Sequence, residues 1–101
     1  MDSIHRKMAI EDIESRLVPI RKSILANKDI PRIEIPEAYY RMALFEVEHY
    51  AATMRKYAEA TDGGPFNKRY TVALEVAETY LDNIAMEYDS LQYGRGRNEM
   101  K

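Results

Sequence analysis

The residues best suited to chemistry cluster first around the turn Thr61-Asp62-Gly63-Gly64-Pro65. Arg55, Lys56 and Tyr57 precede it, and Lys68, Arg69, Tyr70 and Thr71 follow it. Lys68 and Arg69 stand near the start of a helix, where the helix dipole disfavours cations. An anion bound there would balance them. Free N–H groups at a helix N-terminus, a glycine turn and four basic side chains together could hold a phosphate. Tyr57 and Tyr70 lie close enough in the hairpin to stack on a base or ring. The plainer account is a solvated loop whose basic residues pair with Glu59 and Asp62.

A second cluster is Glu46-Val47-Glu48-His49. Glu-x-x-His sets a carboxylate and an imidazole on one helix face, a spacing used by carboxylate-bridged di-iron bundles. Such sites also need a carboxylate from a neighbouring helix. Glu14 would lie at a similar height to His49 in an antiparallel pair. The plainer account is a Glu-rich solvated helix with His49 packed in an interface. A third feature is the tail, residues 93–101, with Arg95 and Arg97 in Gly-Arg-Gly-Arg. It could touch nucleic acid or an acidic partner, or serve only as a solubilising end. No Gly-x-Ser-x-Gly, P-loop or His-Glu-x-x-His is present. No catalytic residue is therefore assigned, and the chain reads as non-enzymatic.

Three helices must position these groups. Residues 3–27 carry Ile10, Ile13, Leu17, Ile20 and Ile24 at helical spacing, with Ser3 as N-cap. Pro19 inside that stripe predicts a kink or break near Val18. Residues 28–36 alternate apolar and polar between Pro31 and Pro36 and predict an extended strap whose isoleucines cover the bundle end. Residues 36–61 form a second helix with the stripe Tyr40, Ala43/Leu44, Val47, Tyr50/Ala51, Met54 and Ala58. Met42, Phe45, His49 and Ala52 fall on its opposite face. A helix apolar on two faces is central in a bundle or lies in a subunit interface. A three-helix chain leaves that second face bare, so self-association is expected. Residues 65–92 form a third helix with the seam Tyr70, Leu74, Ala77, Leu81, Ile84, Tyr88 and Leu91. Residues 93–101 are expected to be a mobile basic tail.

The totals agree with one small helical domain over residues 1–92. The chain has 101 residues, 46% apolar and 32% charged, which is globular in character. It has no Cys, hence no disulfide and no thiolate site, as suits a reducing cytoplasm. No apolar run approaches membrane-spanning length and no signal-peptide pattern opens the chain. Residues 36–92 hold five basic and ten acidic side chains, a poor surface for duplex nucleic acid. Eight Tyr and no Trp suit surfaces that are part buried and part wet.

Two resemblances narrow the reading. Pro65, Lys68, Thr71-Val72-Ala73-Leu74, Glu78 and Leu81 follow a spacing that resembles the second hairpin helix of phage anti-CBASS and anti-Thoeris sponge proteins. Those are small oligomeric helical hairpins that sequester cyclic nucleotide immune signals. The resemblance implies a cytoplasmic anti-defence sponge, with Lys68, Arg69 and Thr71 on the ligand's phosphates. The Glu46–His49 segment resembles encapsulated ferritins, whose iron site forms where two subunits meet. That resemblance implies Glu14, Glu46 and His49 as iron ligands across a dimer. The acidic run Glu75, Glu78 and Asp82 is similar to helical Mg²⁺-dependent nucleotide pyrophosphatases, but a second Glu-rich metal-binding helix is not evident.

The expectation is thus an all-α protein: an antiparallel helical hairpin plus a kinked N-terminal helix, a three-helix unit that self-associates. Its expected role is a non-enzymatic binder of a small anionic ligand such as a cyclic nucleotide, with no cofactor. The alternatives are a ferritin-like iron oxidase and an inhibitor or adaptor that meets a host protein through the Met42/Phe45/His49 face.

Overall fold

A computed structural model describes the backbone of residues 2–100 and the side chains of residues 3–91. It contains α1 (Asp2–Ala26), a one-turn 3₁₀ helix (Arg32–Glu34), α2 (Ile35–Ala60) and α3 (Asn67–Met100). No strand occurs among the described residues. The expected all-α class is therefore what the chain adopts.

α1 begins at Asp2, so Ser3 lies inside it, and it runs through Pro19 without the expected break near Val18. The proline removes the amide that would bond to the Ser15 carbonyl. Ile13 and Leu17 before it and Ile24 after it are all buried, so both halves stay anchored on the hairpin. The linker also departs from expectation. Only Pro31 keeps an extended conformation, with φ −57° and ψ 142°. The Glu34 N–H then donates to the Pro31 carbonyl at 2.9 Å, and the chain turns rather than straps. Ile33 is 78% exposed and covers nothing.

The turn between α2 and α3 is set by hydrogen bonds that propensity does not reveal. Gly63 adopts φ +77°, the left-handed conformation that glycine tolerates best. The Thr61 N–H donates to the Tyr57 carbonyl at 3.0 Å, and the Gly64 N–H to the Thr61 carbonyl at 2.8 Å. Asn67 Nδ2 reaches back to the Ala58 carbonyl at 2.7 Å and satisfies one of α2's terminal acceptors. This bond delays the start of α3 to Asn67, two residues past the expected Pro65. At its other end α3 continues to Met100, through Gly94 and Gly96, instead of stopping near residue 92. The side chains of the Arg95/Arg97 tail lie outside the described residues.

Tyr57 meets Tyr70, Arg55 meets Glu78 and Arg41 meets Tyr88, the order of an antiparallel pair. Their shared core is rich in alanine: α2 contributes Ala43 and Ala51, and α3 contributes Ala73 and Ala77. Small residues let helix axes approach closely. Val47, Val72, Val76 and Ile84 fill the remaining volume. α1 lies against both helices and contributes Ala9, Ile13 and Leu17 to the same core. Its expected stripe holds at Ile13, Leu17, Ile20 and Ile24 and departs only at its start, where Ala9 is buried and Ile10 is 38% exposed. α3 buries more than its expected seam. Ala77 and Ile84 are buried and Leu74 and Leu81 half-buried, while Val72, Ala73 and Val76 are buried as well. A helix with two neighbours buries a band wider than one heptad seam, and here α3 has both α1 and α2 beside it.

Candidate hairpin-end binding site

The last turns of α2 present Arg55, Lys56 and Tyr57, and the first turns of α3 present Lys68, Arg69, Tyr70 and Thr71. The antiparallel pairing brings the Tyr57 and Tyr70 rings to 5.3 Å between centroids at 54°. The Arg69 guanidinium carbon lies 5.9 Å from the Tyr70 ring centre. Two rings and a cation thus share one patch. Lys56 and Lys68 are exposed beside it.

The remaining expected residues are not in that patch. Arg55 and Thr71 line a groove of about 520 Å³ together with Ala58, Glu59, Asp62 and Asn67. Glu59 and Asp62 bring two carboxylates to that groove, which opposes an anion there. Arg55 is also committed, with Nη2 donating to Glu78 Oε1 at 3.3 Å; its partner is Glu78 rather than the expected Glu59 or Asp62. Thr71 Oγ1 donates to the Lys68 carbonyl at 3.0 Å, as a hydroxyl in a helix's first turn often does. Arg69 and Tyr70 line a different, small cavity of about 50 Å³. Four of the seven residues are therefore divided between two separate cavities, Arg55 and Thr71 in one and Arg69 and Tyr70 in the other, with the Tyr57–Tyr70 contact beside the smaller one.

The smaller cavity includes residues that the sequence reading passed over. α1 brings His5 and Asp12 to Tyr50, Arg69 and Tyr70 there. His5 Nδ1 is buried and has no hydrogen-bond partner among the described residues. Burial raises the Tyr50 phenol above its ordinary 10.0, and Asp12 adds to the rise, while Arg16 and Arg69 pull it down. His5, Ala9 and Asp12 recur at helical spacing, which is the signal that could have found this face.

The Glu-x-x-His residues are placed differently. Glu46 Oε1 accepts from Arg16 Nη1 at 3.1 Å, and Glu14 Oε1 accepts from the Tyr80 hydroxyl at 3.2 Å. His49 is exposed. No three metal-ligating side chains converge among the described residues of one chain. Each of these carboxylates thus already accepts one hydrogen bond, on Oε1.

No known family model matches this chain, and no curated protein or solved structure does. The two resemblances thus rest on the residues that suggested them. Among the described residues, no helix is long and apolar enough to cross a membrane.

Proposed function

We propose that the chain is a non-catalytic binding protein that sequesters a small anionic, ring-bearing ligand at the hairpin end, with a cyclic nucleotide the best match. The observation that carries this reading is the Tyr57–Tyr70 ring pair with Arg69 beside it. Aromatic faces accept a base of any identity, and a guanidinium suits a phosphate. The resemblance to phage sponge proteins supplies the setting, an anti-defence protein in the cytoplasm. The reading keeps two finer features of the expected architecture. One is a bend in α1 at Pro19, where the ring crowds the preceding turn. The other is self-association, which would let a second copy complete the shallow patch.

Calorimetric titration with a panel of cyclic mono- and dinucleotides tests the site. Lys68→Glu with Arg69→Glu should abolish binding, and Tyr57→Ala should weaken it by about 1–3 kcal/mol, the usual worth of one stacked base. Silence of the whole panel against the wild type, or equal affinity in the charge-reversed variant, overturns the proposal. A second reading is favoured by Phe45, which is 73% exposed with Met42 beside it at 45%. On that reading the chain is an inhibitor or adaptor, and Phe45→Glu abolishes capture of a host protein while helix content survives.

A further inference from the structure

At the opposite end of the bundle, α1's last turns and α2's first turn border an open cavity of about 330 Å³. Ile24, Leu25, Ile35, Pro36, Tyr39 and Tyr40 line it, and the one charged group on its wall is Arg21. Both tyrosine hydroxyls have partners within the protein. Tyr39 Oη accepts from Arg21 Nη2 at 3.3 Å, and the Tyr40 hydroxyl is held by Glu87. Ring carbons and aliphatic groups therefore form most of the interior. A volume near 300 Å³, mostly apolar walls and few polar groups are the marks of a small-molecule site.

Arg21 distinguishes this cavity from a bare apolar dent. Its guanidinium carbon sits 5.2 Å from the Tyr39 ring centre, which fixes the fork at the cavity wall. A guanidinium carries five N–H donors. Among the described residues Arg21 uses one of them, toward Tyr39, and forms no ion pair. Arg21 also borders an adjoining cavity with Glu14, whose carboxylate is engaged by the Tyr80 hydroxyl. Leu25 stays 64% exposed on the cavity wall although Ile24 beside it is 3% exposed. A bound apolar body would cover that leucine.

We infer that this cavity binds a free, small hydrophobic carboxylic acid, with its apolar body against Ile24, Leu25 and Tyr39 and its carboxylate on the Arg21 fork. A planar fork matches a carboxylate in bidentate geometry, which a lysine would not reproduce. A fork already held against Tyr39 loses less freedom on binding. This site is separate from the hairpin end, and its success or failure does not bear on the proposal made there.

The test compares octanoate with octan-1-ol, two ligands of equal chain length that differ in charge. Titration of the full chain, followed by calorimetry and by amide NMR shifts, should show one octanoate per chain with shifts centred on Leu25, Ile35 and Tyr39. Octan-1-ol should bind at least about tenfold more weakly, a difference of about 1.4 kcal/mol. Arg21→Gln should erase that preference, and Leu25→Gln should weaken both ligands. Arg21 is exposed, so the variant should keep its helical circular dichroism. Equal affinity for acid and alcohol in the wild type overturns the inference without recourse to any variant. So do shifts centred elsewhere, or no saturation by octanoate at millimolar concentration.

Discussion

Tyr50 shows at the scale of one residue how the core constrains chemistry. It is 2% exposed, and the Arg16 guanidinium carbon lies 5.0 Å from its ring centre. Burial raises its phenol above the ordinary 10.0, because a phenolate would lose its hydration inside the core. Asp12 pushes the same way, and the partial opposition of Arg16 and Arg69 does not cancel the rise. The protonated form is thus favoured by folding. The stability tied to it is complete below pH 10 and is lost as pH rises through the raised folded value. Tyr40 and Tyr80 shift in the same direction, Tyr40 through Glu87 first and Tyr80 through burial first. Tyr50→Phe keeps the ring and removes one of these titrations. Its urea midpoint should fall less steeply than the wild type's between neutral pH and pH values above 10. Parallel curves would mean that Tyr50 ionises as easily in the folded chain as in the unfolded one. The heptad reading had already placed Tyr50 in the α2 seam; its proximity to Asp12 and Arg69 depended on the packing of α1.

At the scale of elements, the question is what holds α1 to the hairpin. Its ion pair with α2 is Arg16–Glu46, with side chains 41% and 29% exposed, a kind of pair that contributes up to about 1 kcal/mol. Its apolar link is stronger, because Ile13 is fully buried against the hairpin core. Ile13→Ala should cost about 2–5 kcal/mol in denaturant unfolding, and Glu46→Gln less than about 1 kcal/mol. If the two cost the same, α1 is held by charge rather than by packing. The legibility of each element follows from how many neighbours it has. The main stripe of α2 was readable as Ala43, Val47, Ala51 and Ala58, because alanines at this spacing mark a close seam. In α3 the expected seam residues Ala77 and Ile84 are buried, but Val72, Ala73 and Val76 are buried with them, a band wider than a single heptad expresses. The start of α3 depended on Asn67 bonding to Ala58, an interaction across the turn that helix propensity does not encode. The candidate site shows the same limit. Distance from the turn predicted that Tyr57 and Tyr70 would meet, but not that Arg55 and Thr71 would open into a separate groove.

For the whole molecule the open question of packing lies on the far side of α2. Met42, Phe45, His49 and Ala52 are all exposed, although they stand on the helix that both others pack against. Phe45 alone leaves 73% of its surface accessible at mid-height of α2, away from frayed ends. Burying an aromatic of this kind fully is worth about 1.5–3 kcal/mol. A pair of chains that met through this face would bury the phenylalanine twice, since a two-fold contact uses the same patch on each side. The proposed self-association therefore predicts a specific result. Sedimentation of the wild type at micromolar concentration should show a species larger than one chain, and Phe45→Glu should return it to a monomer. Because Phe45 makes no part of the buried core, the monomer should keep its helical circular dichroism and its urea midpoint apart from the share contributed by association. A wild type that sediments as a monomer would remove the self-contact and leave the face to a different protein. A variant that dissociates and also unfolds would show that the three helices depend on the oligomer for their stability.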